Sequence, residues 1–235
     1  MLQICEDAAE VSRRAAVLVV AAAEQAVAAE GRFTVALAGG ETPRRLYRQL
    51  VSAPLDWTRI HFFWGDERGV PPTDPQSNYR MVSEEMLSQA PVPEDNVHRI
   101  PAEKPLEEAA AAYEGELRRF FDGWPRFHLV LLGLGADGHT ASLFPGSPAL
   151  EVRDRAVVAA SGRVSLTAAA LNRSAQILFL VSGAQKAAAL AAVLEGPPAP
   201  HQFPAQLIRP ESGEITWLVD AAAASLLRAI QKART

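Results

Sequence analysis

One stretch, residues 127–146, limits the possible folds most, because a strongly apolar run there ends in a glycine-rich turn. The run itself, residues 127–132, has the length and composition of a strand that is buried on both faces. It leads into GLGADGHT, residues 133–140, where Asp137 and His139 stand among three glycines. A buried strand followed by such a turn predicts a ligand site at the edge of an open α/β sheet.

The glycine spacing in GLGADG also matches the dinucleotide-binding fingerprint. That fingerprint requires a full helix after the last glycine, because the helix N-terminus carries the pyrophosphate. Pro145 follows Gly138 too closely to leave room for that helix. The sequence therefore argues against a dinucleotide site, and the simpler alternative is a strand-to-helix turn with a solvated acid and imidazole.

The whole chain alternates apolar segments with helical ones. Predicted strands cover 33–38, 59–64, 96–100, 127–132, 156–160, 176–181 and 214–219. Predicted helices cover 7–30, 43–51, 77–89, 105–121, 167–172, 184–194 and 221–232. This order predicts an α/β protein with a three-layer α/β/α, Rossmann-like fold, in which helices flank a mainly parallel sheet. We expect a single domain over residues 1–235.

Local signals mark several helix ends. Gly31 ends the first predicted helix, and Asp220 is expected to cap the last one. Thr42 is expected to cap the second helix, with Pro43 in its first position. The segment GDER, residues 65–68, is expected to lie at the carboxyl end of a strand, before a loop that contains three prolines.

Composition excludes several classes of protein. The formal net charge of −4 argues against a nucleic-acid binder, which carries a basic surface. The single Cys5 excludes an intramolecular disulfide and any multi-cysteine metal site. The Ala- and Val-rich segment 15–29 is too short and too polar to span a bilayer, and the N-terminus lacks the pattern of a secretory signal. We expect a cytoplasmic protein that does not bind membranes.

Chemically useful residues follow four predicted strands, whose carboxyl ends share one edge of a parallel sheet. They are Gly39 and Gly40, then Asp66 and Arg68, then Asp137 and His139, and finally Gly183 and Lys186. Two glycines before a helix outline a phosphate cradle, and Arg and Lys supply phosphate-binding cations. Taken singly, each has a plain alternative: an ordinary turn, an ion pair with Asp66, or a solvated lysine.

Among the five histidines, His139 is the best candidate for a general base, because it follows the glycine turn. Asp137 is placed either to orient this imidazole or to cap a following helix, and the sequence leaves both alternatives open. His139 has no partner at a known zinc-ligand spacing. Ser142 lacks the Gly-x-Ser-x-Gly context of a nucleophile.

Five blocks of the chain closely resemble the 6-phosphogluconolactonase family, within the wider glucosamine-6-phosphate isomerase/deaminase-like superfamily. They occur in the family's order: AGGETP (38–43), WGDERGVPPTDPQSNYRM (64–81), LGLGADGHTASLFPG (132–146), RVSLTAAALN (163–172) and FLVSGAQKAAAL (179–190). The second and third blocks are highly specific. Ala38 and Glu41 depart from the family pattern, which puts one side-chain contact in doubt but leaves the glycines and Thr42 in place.

This resemblance implies hydrolysis of 6-phospho-D-glucono-1,5-lactone to 6-phosphogluconate, in the oxidative pentose phosphate pathway, with no metal or organic cofactor. It implies that His139 activates water, and we include Asp137 with it as a predicted catalytic residue. On chemical grounds, we also expect backbone donors of the glycine turn to stabilise the oxyanion. The substrate, a small sugar-phosphate lactone, is then expected to contact Gly39, Gly40, Thr42, Arg68, Asn78, Arg163 and Lys186. The sequence leaves the oligomeric state open between monomer and homodimer.

Two rival functions remain. Aminosugar-phosphate deaminases of the superfamily carry a carboxylate five residues after the histidine, where this chain has Phe144. Because Phe144 transfers no proton, the sequence argues against a deaminase, although Asp66 matches an acid of that family. A sugar-phosphate sensor would need a DNA-reading module, and no helix-turn-helix or basic helical face is evident.

Overall fold

The computed structural model describes residues 1–228, which contain ten strands and six α-helices. The strands are β1 (Leu2–Cys5), β2 (Phe33–Leu37), β3 (Ile60–Trp64), β4 (Asp66–Arg68), β5 (Val97–His98), β6 (Leu129–Leu132), β7 (Val157–Ala160), β8 (Arg163–Leu166), β9 (Gln176–Val181) and β10 (Glu214–Asp220). The helices are α1 (Ala8–Glu30), α2 (Glu41–Leu50), α3 (Asn78–Val82), α4 (Leu106–Phe121), α5 (Ala168–Leu171) and α6 (Ala187–Glu195).

Seven strands form the central sheet, in the order β1-β10-β9-β6-β2-β3-β5, and every neighbouring pair is parallel. After β1, which lies at one edge, the chain forms β2, β3 and β5, then crosses back to β6 and continues through β9 and β10 in the other direction. The order of the strands therefore reverses between β2 and β6. With the helices that flank it, this sheet confirms the predicted three-layer α/β/α fold.

The core lies where the sheet meets its helices. Every residue of β2 and β6 is buried, as expected for strands covered on both faces. On α1, Val11, Ala15 and Val19 form part of a buried stripe at helical spacing that faces the sheet. The predicted limits of α1 are confirmed, because the Asp7 side chain caps its start and Gly31 ends it in a left-handed conformation.

A second, smaller sheet holds the residues that follow β3. It contains β4, β8 and β7, which pair antiparallel in the order β4-β8-β7. Only Gly65 separates β3 from β4, and Asp66 and Arg68 of β4 lie opposite Ser165 and Arg163 of β8. Residues 66–68 therefore continue as a strand in a second sheet. The sequence analysis missed this sheet, because β4 is too short to show a pattern and its partner is far along the chain.

The predicted start of the second helix was wrong. The helix α2 begins at Glu41, so its N-cap is Gly40 rather than Thr42, and Pro43 stands in the third position. The reason is the backbone at Gly40, whose φ of 104° lies in a region that a threonine rarely adopts. Thr42 is consequently within the first turn of the helix.

The final helix was also predicted wrongly at its start. Residues 221–222 form a turn and Ala223–Leu226 a 3₁₀-helix, while the predicted residues 229–232 lie outside the described residues. Asp220 does act as a cap, since its carboxylate accepts the N–H of Ala223 at 2.7 Å. No helix in residues 1–228 has the length and apolarity that a bilayer crossing requires.

Candidate active site

The carboxyl ends of β2, β3, β6 and β9 surround a cleft of about 410 Å³. Its position is the one expected for ligands in open α/β sheets, beside the reversal of strand order. Of the nine predicted site residues, eight line this cleft: Gly39, Gly40, Thr42, Arg68, Asn78, His139, Arg163 and Lys186. The ninth, Asp137, lies behind His139, so the structure brings together the residues that the sequence placed on one edge.

His139 and Asp137 form a hydrogen-bonded pair. The Nδ1 atom of His139 is 2.5 Å from Oδ1 of Asp137, which also accepts the backbone N–H of His139 at 3.2 Å. Because a carboxylate is a hydrogen-bond acceptor, Nδ1 carries the proton of the neutral ring, and the other ring nitrogen, Nε2, keeps its lone pair. Partial burial alone would raise the pKa of Asp137, but the hydrogen bonds from His139 outweigh it and hold that pKa below its ordinary value.

The loop that carries this pair folds back on itself, and no helix follows Asp137. Gly135 makes the fold possible, because a Cβ atom there would collide with the side chains of His139 and Asp137. The N–H of Gly135 donates to the carbonyl of His139 at 2.8 Å, and that of Gly138 donates to Gly135 at 3.1 Å. These two N–H groups are already used, so they do not supply the expected oxyanion donors.

The start of α2 forms another part of the cleft lining. The first N–H groups of a helix have no partner within it, and they carry the positive end of the helix dipole. At α2 these groups belong to Glu41 and Thr42, since Pro43 has no N–H. Tyr47 of α2 fixes the chain just before the turn, since its hydroxyl accepts the N–H of Ala38 at 3.0 Å and donates to the carbonyl of Ala38 at 2.7 Å.

Lys186 also lines the cleft, from the segment after β9. Within residues 1–228 its ammonium group has no hydrogen bond or ion pair to protein. The turn before it is held by Asp220, whose carboxylate accepts the N–H of Gly183 at 2.9 and 3.1 Å. Lys186 and the start of α2 together provide a cation and backbone donors that suit a phosphate group.

Arg68 and Asn78 are partly engaged with the protein. A terminal N–H of Arg68 donates to the carbonyl of Gln76, which ties it to the proline-rich loop, while its Nε atom is buried without a partner. The buried Asn78 donates to the backbone carbonyl of Asp66 at 2.9 Å, and its amide packs against Gly39. Asn78 therefore joins the ends of β2 and β3.

Glu67 organises the start of α3 from beneath the cleft. Its buried carboxylate accepts the backbone N–H groups of Arg68, Asn78 and Tyr79 at 2.7–2.8 Å, and the hydroxyl of Ser77 at 2.9 Å. Burial raises the pKa of Glu67, while these four hydrogen bonds act in the opposite direction. The sequence analysis did not assign this role to Glu67, although an acid beside Arg68 was a visible signal.

Arg163, from β8, lies against two residues that the sequence analysis did not connect with it. Its guanidinium is 3.7 Å from Oδ2 of the buried Asp66 and 5.2 Å from the ring centre of Phe144. Oδ2 of Asp66 also accepts the hydroxyl of Ser142 at 2.6 Å. The guanidinium of Arg163 makes no hydrogen bond within the described part of the chain, although it lies near Asp66, and Arg163 lines the cleft.

Metal ligands are not grouped in this structure. Across residues 1–228, no three His, Cys, Asp or Glu side chains come together as a metal ion would need. The polar groups that line the cleft instead include the imidazole of the His139–Asp137 pair, two arginines, one lysine and the N-terminus of α2. Such a set suits an anionic substrate that reacts with water.

Comparisons with known proteins agree with this chemistry. Residues 6–217 match the family model described as glucosamine-6-phosphate isomerases/6-phosphogluconolactonase. A 6-phosphogluconolactonase of Synechocystis is 44% identical over 224 residues, which cover 92% of this chain and 93% of the relative. The structure of 6-phosphogluconolactonase from Thermotoga maritima superposes with a TM-score of 0.83 at 34% identity, covering 94% of this chain and 99% of the other.

A monomeric glucosamine-6-phosphate deaminase is also similar in structure. Its TM-score is 0.82, it covers 96% of this chain and 99% of its own, and the sequence identity is 24%. At that identity the likeness shows a shared fold and no more. The fold alone therefore does not separate hydrolysis of a lactone from release of ammonia, and the site residues must do so.

Proposed function

The chain belongs to the glucosamine-6-phosphate isomerase/6-phosphogluconolactonase family, and from this premise we propose that it hydrolyses 6-phospho-D-glucono-1,5-lactone to 6-phospho-D-gluconate, a step of the oxidative pentose phosphate pathway. The observation that carries the proposal is the cleft that holds the His139–Asp137 pair together with the α2 N-terminus and Lys186. A base and a phosphate cradle in one cleft suit a phosphorylated lactone.

The phosphate would bind at the start of α2. The backbone N–H groups of Glu41 and Thr42 and the ammonium of Lys186 supply donors and positive charge there. Gly39 and Gly40 let the phosphate approach the backbone closely. Because this group is remote from the lactone carbonyl, its binding energy is available to orient the carbonyl at the base. Arg68 and Asn78 complete the binding surface between the two ends.

The reaction itself needs one base and no covalent intermediate. Nε2 of His139 takes a proton from water as the water oxygen attacks C1, and Asp137 stabilises the imidazolium that forms. The tetrahedral oxyanion then collapses, the bond from C1 to the ring oxygen breaks, and the imidazolium returns the proton to that oxygen. A lactone is an activated ester, so this sequence suffices without an acyl-enzyme.

The proposal extends to the domain organisation, the cellular location, the oligomeric state and the partners. We propose one domain over residues 1–235 that acts in the cytoplasm as a monomer or homodimer, without a metal or organic cofactor and without nucleic acid as a partner. The deaminase alternative lacks one of its acids. Position 144, where deaminases of the superfamily carry a carboxylate, holds a phenylalanine whose ring packs on His139 at 4.5 Å between centres.

A coupled assay tests this function. Glucose-6-phosphate dehydrogenase generates the lactone, 6-phosphogluconate dehydrogenase reports the product, and unphosphorylated gluconolactone is the control substrate. We expect His139→Ala to lower kcat by roughly 10²- to 10⁴-fold with little change in KM. We expect Lys186→Ala to raise KM about 10- to 100-fold for the phosphorylated lactone only.

The matched control is His201→Ala, since the His201 side chain is 71% exposed. Neither His201 nor its ion-pair partner, Glu151, lines the cleft. An unimpaired His139→Ala enzyme would remove the assigned base. No acceleration by folded wild-type protein would refute the lactonase activity, and binding of 6-phosphogluconate without catalysis would then favour the sensor alternative. Release of ammonia from glucosamine 6-phosphate would favour the deaminase.

A further inference from the structure

The aromatic ring of Phe144 contacts two charged or chargeable groups of the cleft. The imidazole of His139 lies 4.5 Å from its ring centre, and the guanidinium carbon of Arg163 lies 5.2 Å from the same centre. Phe144 itself is half-buried and is not among the residues that line the cleft. It therefore supports the imidazole and the guanidinium from behind, while both of them face the cleft.

Asp66 also contacts both the His139 loop and Arg163. Its carboxylate accepts the hydroxyl of Ser142 at 2.6 Å and lies 3.7 Å from Arg163. Ser142 belongs to the same short loop as His139 and Phe144. The loop and Arg163 are thus linked twice, once through the buried carboxylate and once through the aromatic face, and Arg163 has little freedom to move relative to His139.

The reaction needs a positive group opposite the base. When water attacks the lactone, negative charge develops on the carbonyl oxygen, and fixed donors aimed at that oxygen lower the barrier. The N–H groups of Gly135 and Gly138 are already bonded within the loop. Arg163 lines the same cleft as His139, and its side chain is 29% exposed. Apart from the 3.7 Å ion pair with Asp66, its guanidinium makes no hydrogen bond to the described residues, so it can donate to a substrate oxygen.

Resting on the lactonase function above, we propose that Phe144 is a positioning residue, whose single ring holds the base His139 and the oxyanion-stabilising cation Arg163 in register on the same lactone carbonyl. Arg163 is then a catalytic residue as well as a binding one. The phosphate end of the cleft does not depend on this ring, so Phe144 acts on the chemical step and leaves binding of the phosphate unchanged.

The first test is Phe144→Leu, which keeps an apolar side chain but removes the aromatic face. We expect kcat to fall roughly 5- to 30-fold, the rate equivalent of losing a partly desolvated cation–π contact, with KM within about twofold of wild type. Phe144→Tyr keeps the ring and is expected to retain kcat within about threefold. A Leu variant with wild-type kcat, or one whose loss appears only in KM, would overturn the proposal.

Phe120→Leu is the matched control. Phe120 also carries an arginine over its ring, with Arg32 at 4.7 Å, and it also packs on imidazoles, those of His61 and His98. It lies on α4 and does not line the cleft. The same substitution there is expected to leave kcat and KM within about twofold, even if the melting temperature falls. Equal losses of kcat in both variants would assign the effect at Phe144 to general destabilisation.

A double-mutant cycle separates Phe144 from the rest of the mechanism. In an Arg163→Ala background, Phe144→Leu should lower kcat by clearly less than it does in wild type, because the ring then has no guanidinium to hold. An undiminished effect would contradict a role through Arg163. If Phe144→Leu does not fold at the assay temperature, Phe144→Met takes its place. Wild-type lactonase activity is measured first, so failure of the proposed function is seen independently of these variants.

Discussion

At the scale of single residues, the pairing of Asp137 with His139 decides an alternative that the sequence left open. An Asp two residues before a His serves either as a helix cap or as a partner of the ring. The structure has no helix after Asp137, and the carboxylate lies on Nδ1 of His139 instead. Sequence could place both residues in one turn, but it could not show that the turn folds back over Gly135.

Asp137→Asn tests the charge of this partner. We expect kcat to fall roughly 10- to 100-fold, because a neutral amide stabilises the imidazolium less well and also permits the wrong ring tautomer. KM and the melting temperature should change little, because the side chain is half exposed and no packing is lost. Steady-state kinetics and a thermal melt measure both effects.

The control for this variant is Asp154→Asn, another exposed acid that has no partner in the cleft. Asn caps a helix nearly as well as Asp does, so a purely structural carboxylate would tolerate the same change. Wild-type kcat in Asp137→Asn would therefore exclude an electrostatic role for Asp137 in the reaction.

The contacts of Arg163 could not be predicted from the sequence. Its place in a family-like block allowed the sequence to include it among the binding residues. Its two neighbours come from different parts of the chain. Asp66 meets it because β8 pairs with β4, and Phe144 reaches it from the loop after β6. Contacts of this kind depend on tertiary pairing, which no local pattern in the sequence reports.

At the scale of elements, two buried tyrosines clamp the ends of neighbouring strands. Tyr47 of α2 bonds to both backbone groups of Ala38, after β2. Tyr113 of α4 bonds in the same way to both backbone groups of Trp64, at the end of β3, at 2.9 and 3.1 Å. Burial raises the pKa of both hydroxyls, so they remain neutral donors and acceptors. Each helix is thereby fixed to the strand end that carries site residues.

Tyr47→Phe is expected to act on both stability and binding. It leaves two buried backbone groups of Ala38 without partners, which should lower the free energy of unfolding by about 1–3 kcal/mol. Ala38 directly precedes the turn at Gly39, so the backbone that is proposed to bind the phosphate becomes less well fixed. The KM for the phosphorylated lactone should therefore rise about 3- to 10-fold. Urea unfolding and steady-state kinetics measure the two effects.

Tyr113→Phe provides the comparison, since it removes the same pair of bonds at the end of β3. We expect a similar loss of stability but a smaller rise in KM, because the phosphate cradle is built on β2 and α2. Equal rises in KM for the two variants would show that the effect of Tyr47 is a general consequence of lower stability.

Strands and helices with a clear hydrophobic period were predicted well, and each exception has an identifiable cause. The limits of α1 and the central strands follow from apolar pattern and caps. The start of α2 was misplaced because the φ of Gly40 decides it, and β4 was missed because three residues carry no pattern. Glycine conformation and short-strand pairing are both set by tertiary structure.

At the scale of the whole molecule, the parallel topology explains why residues scattered through the sequence form one site. The order of strands reverses between β2 and β6, and the turns after these two strands carry Gly39 and His139. A parallel sheet places every such turn at one edge. The sequence could predict this edge from strand alternation alone, although the order of the strands came only with the structure.

Away from this edge, a histidine pair couples the stability of the molecule to pH. His61 of β3 lies with Nδ1 3.1 Å from Nε2 of His98, which in turn bonds to Glu116 at 2.8 Å. Burial, together with the smaller effects of the nearby His98 and Arg32, lowers the pKa of His61 to about 4. In the unfolded chain the pKa of a histidine is ordinarily about 6.5.

The difference between the folded and unfolded pKa of His61 makes the protein less stable at acidic pH. Between the folded pKa of about 4 and the unfolded value of about 6.5, the unfolded chain binds the proton of His61 and the folded chain does not. The contribution of His61 to the free energy of unfolding is therefore fully present above that window and decreases as pH falls through it. Since His61 is partly exposed, we expect about 1 kcal/mol of lost stability between about pH 7 and about pH 5.

His61→Gln should remove this part of the pH dependence. Urea unfolding followed by circular dichroism at about pH 7 and about pH 5 should show a difference in the free energy of unfolding that is smaller than in wild type by about 1 kcal/mol. His201→Gln is the control, because the His201 side chain is 71% exposed, and we expect this variant to leave the difference unchanged. A wild-type pH dependence in His61→Gln would mean that the acid sensitivity arises elsewhere, with the coupled His98–Glu116 pair the next to be tested.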